Sequence, residues 1–200
     1  MLSAGAGIVA SVLTRLAEID WSTMSHAYGT AEEVPDLLVA MASDDKEARD
    51  KAFSRFYGAV HHQGDVYACT MAAVPFLVEL AEAEHSPARA AYVRLLASIS
   101  AACLDRGDGV YYTVGGELFD YSEAAMTMAD HSPLFERFAT DPDPQVRLVA
   151  FPAVAYFPTD PARTALLLQS RLDAEAEVMQ RLALVDASVA LALGTPTPLR

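Results

Sequence analysis

Two adjacent histidines, His61 and His62, are the residues whose type could most readily do chemistry in this sequence. Imidazole titrates near neutrality, so either ring could move a proton or ligate a metal. A metal site needs further ligands, and neighbouring histidines rarely hold one ion together. No His-x-x-x-His spacing accompanies them, so neither a metal nor a cofactor is expected. Cys69 follows closely enough for a histidine base to activate it, but its place at the start of an apolar stretch reads as a small core residue. Glu32-Glu33, Asp44-Asp45, Glu82 with Glu84 and Glu175 with Glu177 supply paired carboxylates. At helix starts and on outer faces such pairs favour the helix dipole or solvate the surface. No Gly-rich phosphate loop, Gly-x-Ser-x-Gly elbow or His-Glu-x-x-His motif occurs. The pattern leans away from an enzyme.

The elements that must position these residues are helices. Ser86-Pro87, Ser132-Pro133, Asp143-Pro144 and Asp160-Pro161 each set a capping oxygen before a proline, which suits a helix start. Asp44 with Glu47 resembles a capping box. Apolar residues then recur three and four apart, as in Leu95, Leu96, Ile99 and Cys103, while β alternation is nearly absent. The fold class expected is all-α.

The helices also repeat. Val34-Pro35-Asp36-Leu37-Leu38 is echoed by Val74-Pro75-Phe76-Leu77-Val78, 40 positions on (74 − 34). Asp45-x-x-x-Arg49-x-x-Ala52 returns as Asp143-x-x-x-Arg147-x-x-Ala150. A spacing near 40 with two helices per unit is the mark of a HEAT-like solenoid. The segments Ile19-Asp20-Trp21, His26-Ala27-Tyr28-Gly29, Val34-Pro35-x-Leu37-Leu38 and Tyr57-Gly58-x-Val60-x-His62-Gln63-Gly64-x-Val66-Tyr67 resemble bacterial HEAT-repeat domain proteins, most densely over 19–80. That resemblance implies an α-solenoid and, by analogy with HEAT proteins generally, a binding scaffold.

The reading is one domain over 1–200, with an N-terminal helix at about 3–18 and four helix pairs. First helices begin near Pro35, Pro75, Pro133 and Pro161, and second helices near Asp45, Pro87, Pro144 and Ala174. An insertion over about 105–121 reads as a loop or a small hairpin beside Asp108-Gly109. In a regular stack the links between pairs emerge along one edge. The candidate binding rim is therefore His26, Tyr28, Tyr57, His61, His62, Gln63, Tyr67, Tyr111 and Tyr112, on loops a rigid scaffold would present.

Charge narrows the partners. Lys and Arg total 14 against 27 Asp and Glu, a formal charge of -13, and Lys46 and Lys51 are the only lysines. Nucleic acid is not expected, because phosphate binding needs a basic face. The HEAT-like alkylpurine DNA glycosylases need one too. Leu2 to Leu13 has the apolarity of a signal-peptide core, but no positive charge precedes it and its spacing continues as a helical face. No run is long enough to span a membrane, and two cysteines without a metal spacing suit the cytoplasm. The expected function is a non-enzymatic protein-binding scaffold or adaptor, of an immunity or regulatory type, for a basic protein partner. The alternative is a small-molecule-binding protein or enzyme using the His and Tyr rim. An open apolar face on the last helix suits a homodimer.

Overall fold

The computed structural model describes residues 15–194 apart from 85, 87, 108, 114 and 115. The helix expected over 3–18 lies almost wholly outside the described residues, as do Pro87 and Asp108. Described residues form nine α-helices: α1 (Val34–Met41), α2 (Lys46–Val60), α3 (Ala68–Glu82), α4 (Arg89–Arg106), α5 (Tyr121–Asp130), α6 (Ser132–Phe138), α7 (Pro144–Val154), α8 (Pro161–Ala174) and α9 (Val178–Leu193). Four short strands pair as two antiparallel hairpins, β1 (Ser25–His26) with β2 (Gly29–Thr30) and β3 (Val110–Tyr112) with β4 (Leu118–Asp120). Among the described residues the regular structure is helical apart from these two short hairpins. It divides into two compact units, Met1–Tyr92 with Val110–Asp120, and Val93–Gly109 with Tyr121–Arg200.

In the first unit α1 packs on α2 and on α3, and α3 carries β1. Leu38, Met41, Phe56, Phe76 and Leu77 are buried there, and Tyr92 seals the layer by donating its hydroxyl to the Met41 carbonyl at 2.6 Å. In the second unit α6 packs on α7, and α9 packs on both α7 and α8. Phe135, Val149, Phe151, Leu168 and Leu184 are buried in it.

Helix starts follow the capping chemistry, with corrections. Asp143 and Asp160 cap α7 and α8 through their carboxylates. The α2 cap is Asp45, not Asp44: its Oδ1 accepts from the Glu47 and Ala48 amides. Ser132 is no cap, because its hydroxyl donates to the Phe157 carbonyl at 2.6 Å. Pro75 does not begin a helix but sits in the middle of α3. An interior proline costs about 3 kcal/mol. Pro75 itself is exposed, and the carbonyl that loses its helical donor belongs to half-buried Met71. The stretch after the insertion holds a helix, α5, that the proline-based reading passed over. The insertion does contain a hairpin, β3 with β4, whose last paired residues are Tyr112 and Leu118, so Gly109 precedes its first strand and does not turn it.

The repeated Asp-x-x-x-Arg phrase has one geometry in both places. Arg49 Nη1 donates to the Ser43 and Asp44 carbonyls at 2.9 and 3.4 Å. Arg147 Nη1 donates to the Asp141 and Pro142 carbonyls at 2.8 and 3.0 Å. In each case the guanidinium folds back over the turn that its own helix's cap has closed.

Candidate functional site

The end of α2 and the two loops beside it bring the candidate residues together. Ala27, in the β1–β2 turn, donates its amide to the Ala59 carbonyl at 3.1 Å, which pins that hairpin to the last turn of α2. Cys69 Sγ donates to the Ser25 carbonyl at 3.1 Å and ties the same hairpin to α3. After α2 the chain turns through residues 62–64, with Gln63 at φ 53° and Gly64 at φ 84°. Glutamine pays roughly 1–2 kcal/mol for a left-handed backbone that glycine adopts freely. The turn leaves His62 half-buried while His61 is buried.

Tyr28 is the centre of the cluster. Its backbone amide donates to His26 Nδ1 at 3.1 Å, which fixes the neutral His26 tautomer with the proton on Nε2. That nitrogen lies 3.2 Å from Glu33 Oε1, without the alignment of a full hydrogen bond. Glu33 Oε1 in turn accepts from Arg55 Nη2 at 2.6 Å. The Arg55 guanidinium lies 5.3 Å from the centre of the Tyr28 ring, close enough for a cation–π contact. The Tyr28 hydroxyl meets His62 Nδ1 at 3.0 Å. His26, Glu33 and Arg55 thus run from the Tyr28 amide round to its ring, and His62 meets its hydroxyl, at a residue that is itself 57% exposed.

The other expected rim residues divide. Tyr57, part exposed, stacks edge-on against buried His61 with ring centres 5.6 Å apart. His61 Nδ1 is bonded to the Asp65 carbonyl at 2.9 Å. Burial lowers its pKa, against the opposing pull of the Asp65 carbonyl and carboxylate. Tyr67 is fully buried and opens α3, so it supports the rim from inside. Gln63 is exposed in the turn. Tyr111 and Tyr112 stand exposed on β3. Cross-strand register pairs Tyr112 with Leu118, and Val110 shares their face, so three apolar side chains lie exposed together on this hairpin.

Two members of the cluster, Glu33 and Arg55, carried no motif. Glu33 read as half of a solvated acidic pair and Arg55 was not singled out at all; the packing of α1 on α2 joins them. Cys69 is buried, and desolvation pushes its thiol up to about 12, with Glu117 adding to the shift, which disfavours the thiolate a nucleophile needs. Among the described residues no three His, Cys, Asp or Glu side chains converge as metal ligands. No described helix is long and apolar enough to cross a membrane.

Fold and site together define an all-α protein carrying a surface cluster of two histidines, a tyrosine, a glutamate and an arginine. Compared with family models, curated proteins and solved structures, the chain matches none.

Proposed function

We propose that this chain is a HEAT-like α-solenoid that acts as a non-enzymatic binding module, recognising a partner protein with a basic surface in the cytoplasm. An adaptor or an immunity-type protein works in this way. The observation that carries the reading is Tyr28. It is more than half exposed, yet its amide, ring and hydroxyl are each held, by His26, Arg55 and His62. Tyrosine is a favoured anchor at interfaces, and an anchor ordered in advance loses little entropy on binding. The exposed face of Val110, Tyr112 and Leu118 offers apolar contact area in the same unit. A formal charge of -13 would steer a basic partner and speed its association. The solenoid reading draws on the repeated Asp-x-x-x-Arg clasp and on the packing of sequence-adjacent helices, α1 on α2 and α6 on α7.

The rival reading, a small-molecule site or enzyme, draws on Tyr28–His62 and His26–Glu33, which bring acid–base groups within reach of each other. A comparative pull-down separates them. Wild type should retain a basic protein that a folded Tyr28→Ala/His62→Ala variant loses. A partner held equally by both proteins would move the site elsewhere. Capture of nothing, with a small ligand that raises the melting temperature of wild type alone, would favour the rival.

A further inference from the structure

The helix α9 is apolar on two opposite sides. Its inner face, Leu184, Ala187 and Ala190, is buried against α7 and α8. The opposite face carries Val178, Leu182, Val185 and Val189, each between 45 and 68% exposed. Their spacing of four, three and four residues is a heptad seam, with Val178 and Val185 at d positions and Leu182 and Val189 at a positions. A single surface helix needs one apolar stripe to join its own core. The second stripe has no use within the unit.

We infer that this outer face of α9 is a self-association seam, on which α9 of a second copy packs in parallel. Three features favour a second copy over an unrelated partner. An isologous two-fold contact requires a patch that is its own complement, and a heptad seam of identical residues satisfies that condition. With Met179 and Leu193 alongside, 63 and 69% exposed, six apolar side chains of one helix lie open together, where monomers normally expose such residues singly. Charge sets the orientation. Arg181 falls at a g position and Asp186 at the e position five residues on; Arg181 Nη1 makes only long contacts within its own chain, to the Leu172 and Glu175 carbonyls at 3.3 and 3.4 Å, and a parallel pair would exchange these for Asp186 of the other copy on both sides of the seam. An antiparallel pair would oppose like positions instead and lose both contacts.

The test is the molar mass of the full chain by light scattering, with helix content as the folding control. Wild type should run at twice 21.4 kDa. Leu182→Asp, at a solvent-facing position that leaves the core intact, should return it to one chain. Arg181→Asp and Asp186→Arg should each weaken the dimer at least tenfold, because either change opposes like charges twice. An equimolar mixture of those two variants should dimerise again, since each supplies what the other lacks. Wild type that stays at one chain up to about 100 μM overturns the inference, because a weaker contact would not be a specific dimer. So does a dimer that survives Leu182→Asp, or a mixture of folded charge variants that stays monomeric.

Discussion

The hydroxyl of Tyr28 and Nδ1 of His62 stand 3.0 Å apart, joining residues 34 positions apart in the chain. The backbone amide of Tyr28 is held by Nδ1 of His26, so histidines grip this residue at both ends. A tyrosine so placed presents its ring to solvent in one orientation, and the Arg55 guanidinium keeps it there.

This arrangement separates stability from recognition. Tyr28→Phe removes the bond to His62 and keeps the ring, so an exposed hydrogen bond worth about 1 kcal/mol at most is lost. The melting temperature should fall by no more than about 4 °C. Tyr28→Ala removes the anchor as well and should weaken partner binding by about tenfold or more, as truncating an interface anchor does. Titration calorimetry with the captured partner checks this; equal affinity for both variants and wild type would exclude Tyr28 from the interface.

Much of the architecture was legible from local chemistry, because caps and turns are decided by a few neighbouring residues. Asp143 and Asp160 before proline marked α7 and α8 correctly, and the repeated Asp-x-x-x-Arg phrase proved to be one turn geometry used twice. Pro75 misled for a physical reason: proline is favoured at a helix start, but an exposed interior position tolerates it when flanking residues such as Val74 and Phe76 are buried. Placing two links on one edge groups His26, Tyr28 and His62, and the structure shows these three in contact. Glu33 and Arg55 could not be placed that way, since each joins the cluster through tertiary packing that no spacing encodes.

In the second unit Glu175 is buried between arginines. Arg147 holds it with a bidentate grip, Nε at 2.6 Å and Nη2 at 3.0 Å, and Arg171 donates to it as well. The Arg147 hydrogen bond, reinforced by Arg171, pulls its pKa from the ordinary 4.5 down to about 2. The folded value lies below the unfolded one, so this stabilisation is complete above about pH 4.5 and fades as the pH falls towards 2. Glu175→Gln should destabilise the chain by about 2 kcal/mol at neutral pH, by weakening the charge-assisted hydrogen bonds of two half-buried arginines. It should also flatten the acid limb of the stability curve between those two values. Urea melts of both proteins from neutral to acid pH measure this; parallel curves would show that Glu175 makes no pH-dependent contribution.

Both cysteines are buried free thiols, and desolvation pushes each up to about 12. Thiolate is the reacting species, so the native protein should give almost no reaction with a disulfide reagent at mildly alkaline pH. Two thiols per chain should appear once denaturant is added. Rapid titration of one thiol in the native state would place Cys69 or Cys103 in contact with solvent, against its burial.

His61 supplies a second pH signal in a different window. Its ring is buried under Tyr57, and desolvation outweighs the Asp65 carbonyl and carboxylate that favour the charged ring. The folded value therefore lies below the ordinary 6.5. Between the two values the unfolded chain takes up a proton that the folded chain refuses, so stability is complete above about pH 6.5 and declines as the pH drops below it. NMR titration of the histidine ring carbons should find His61 changing charge at lower pH than a histidine in a denatured control. Denaturant melts at about pH 7 and 5.5 should show the loss, and His61→Gln should remove this component. A His61 ring that titrates at or above 6.5 would mean that Asp65 outweighs burial, and that the end of α2 gains stability on acidification.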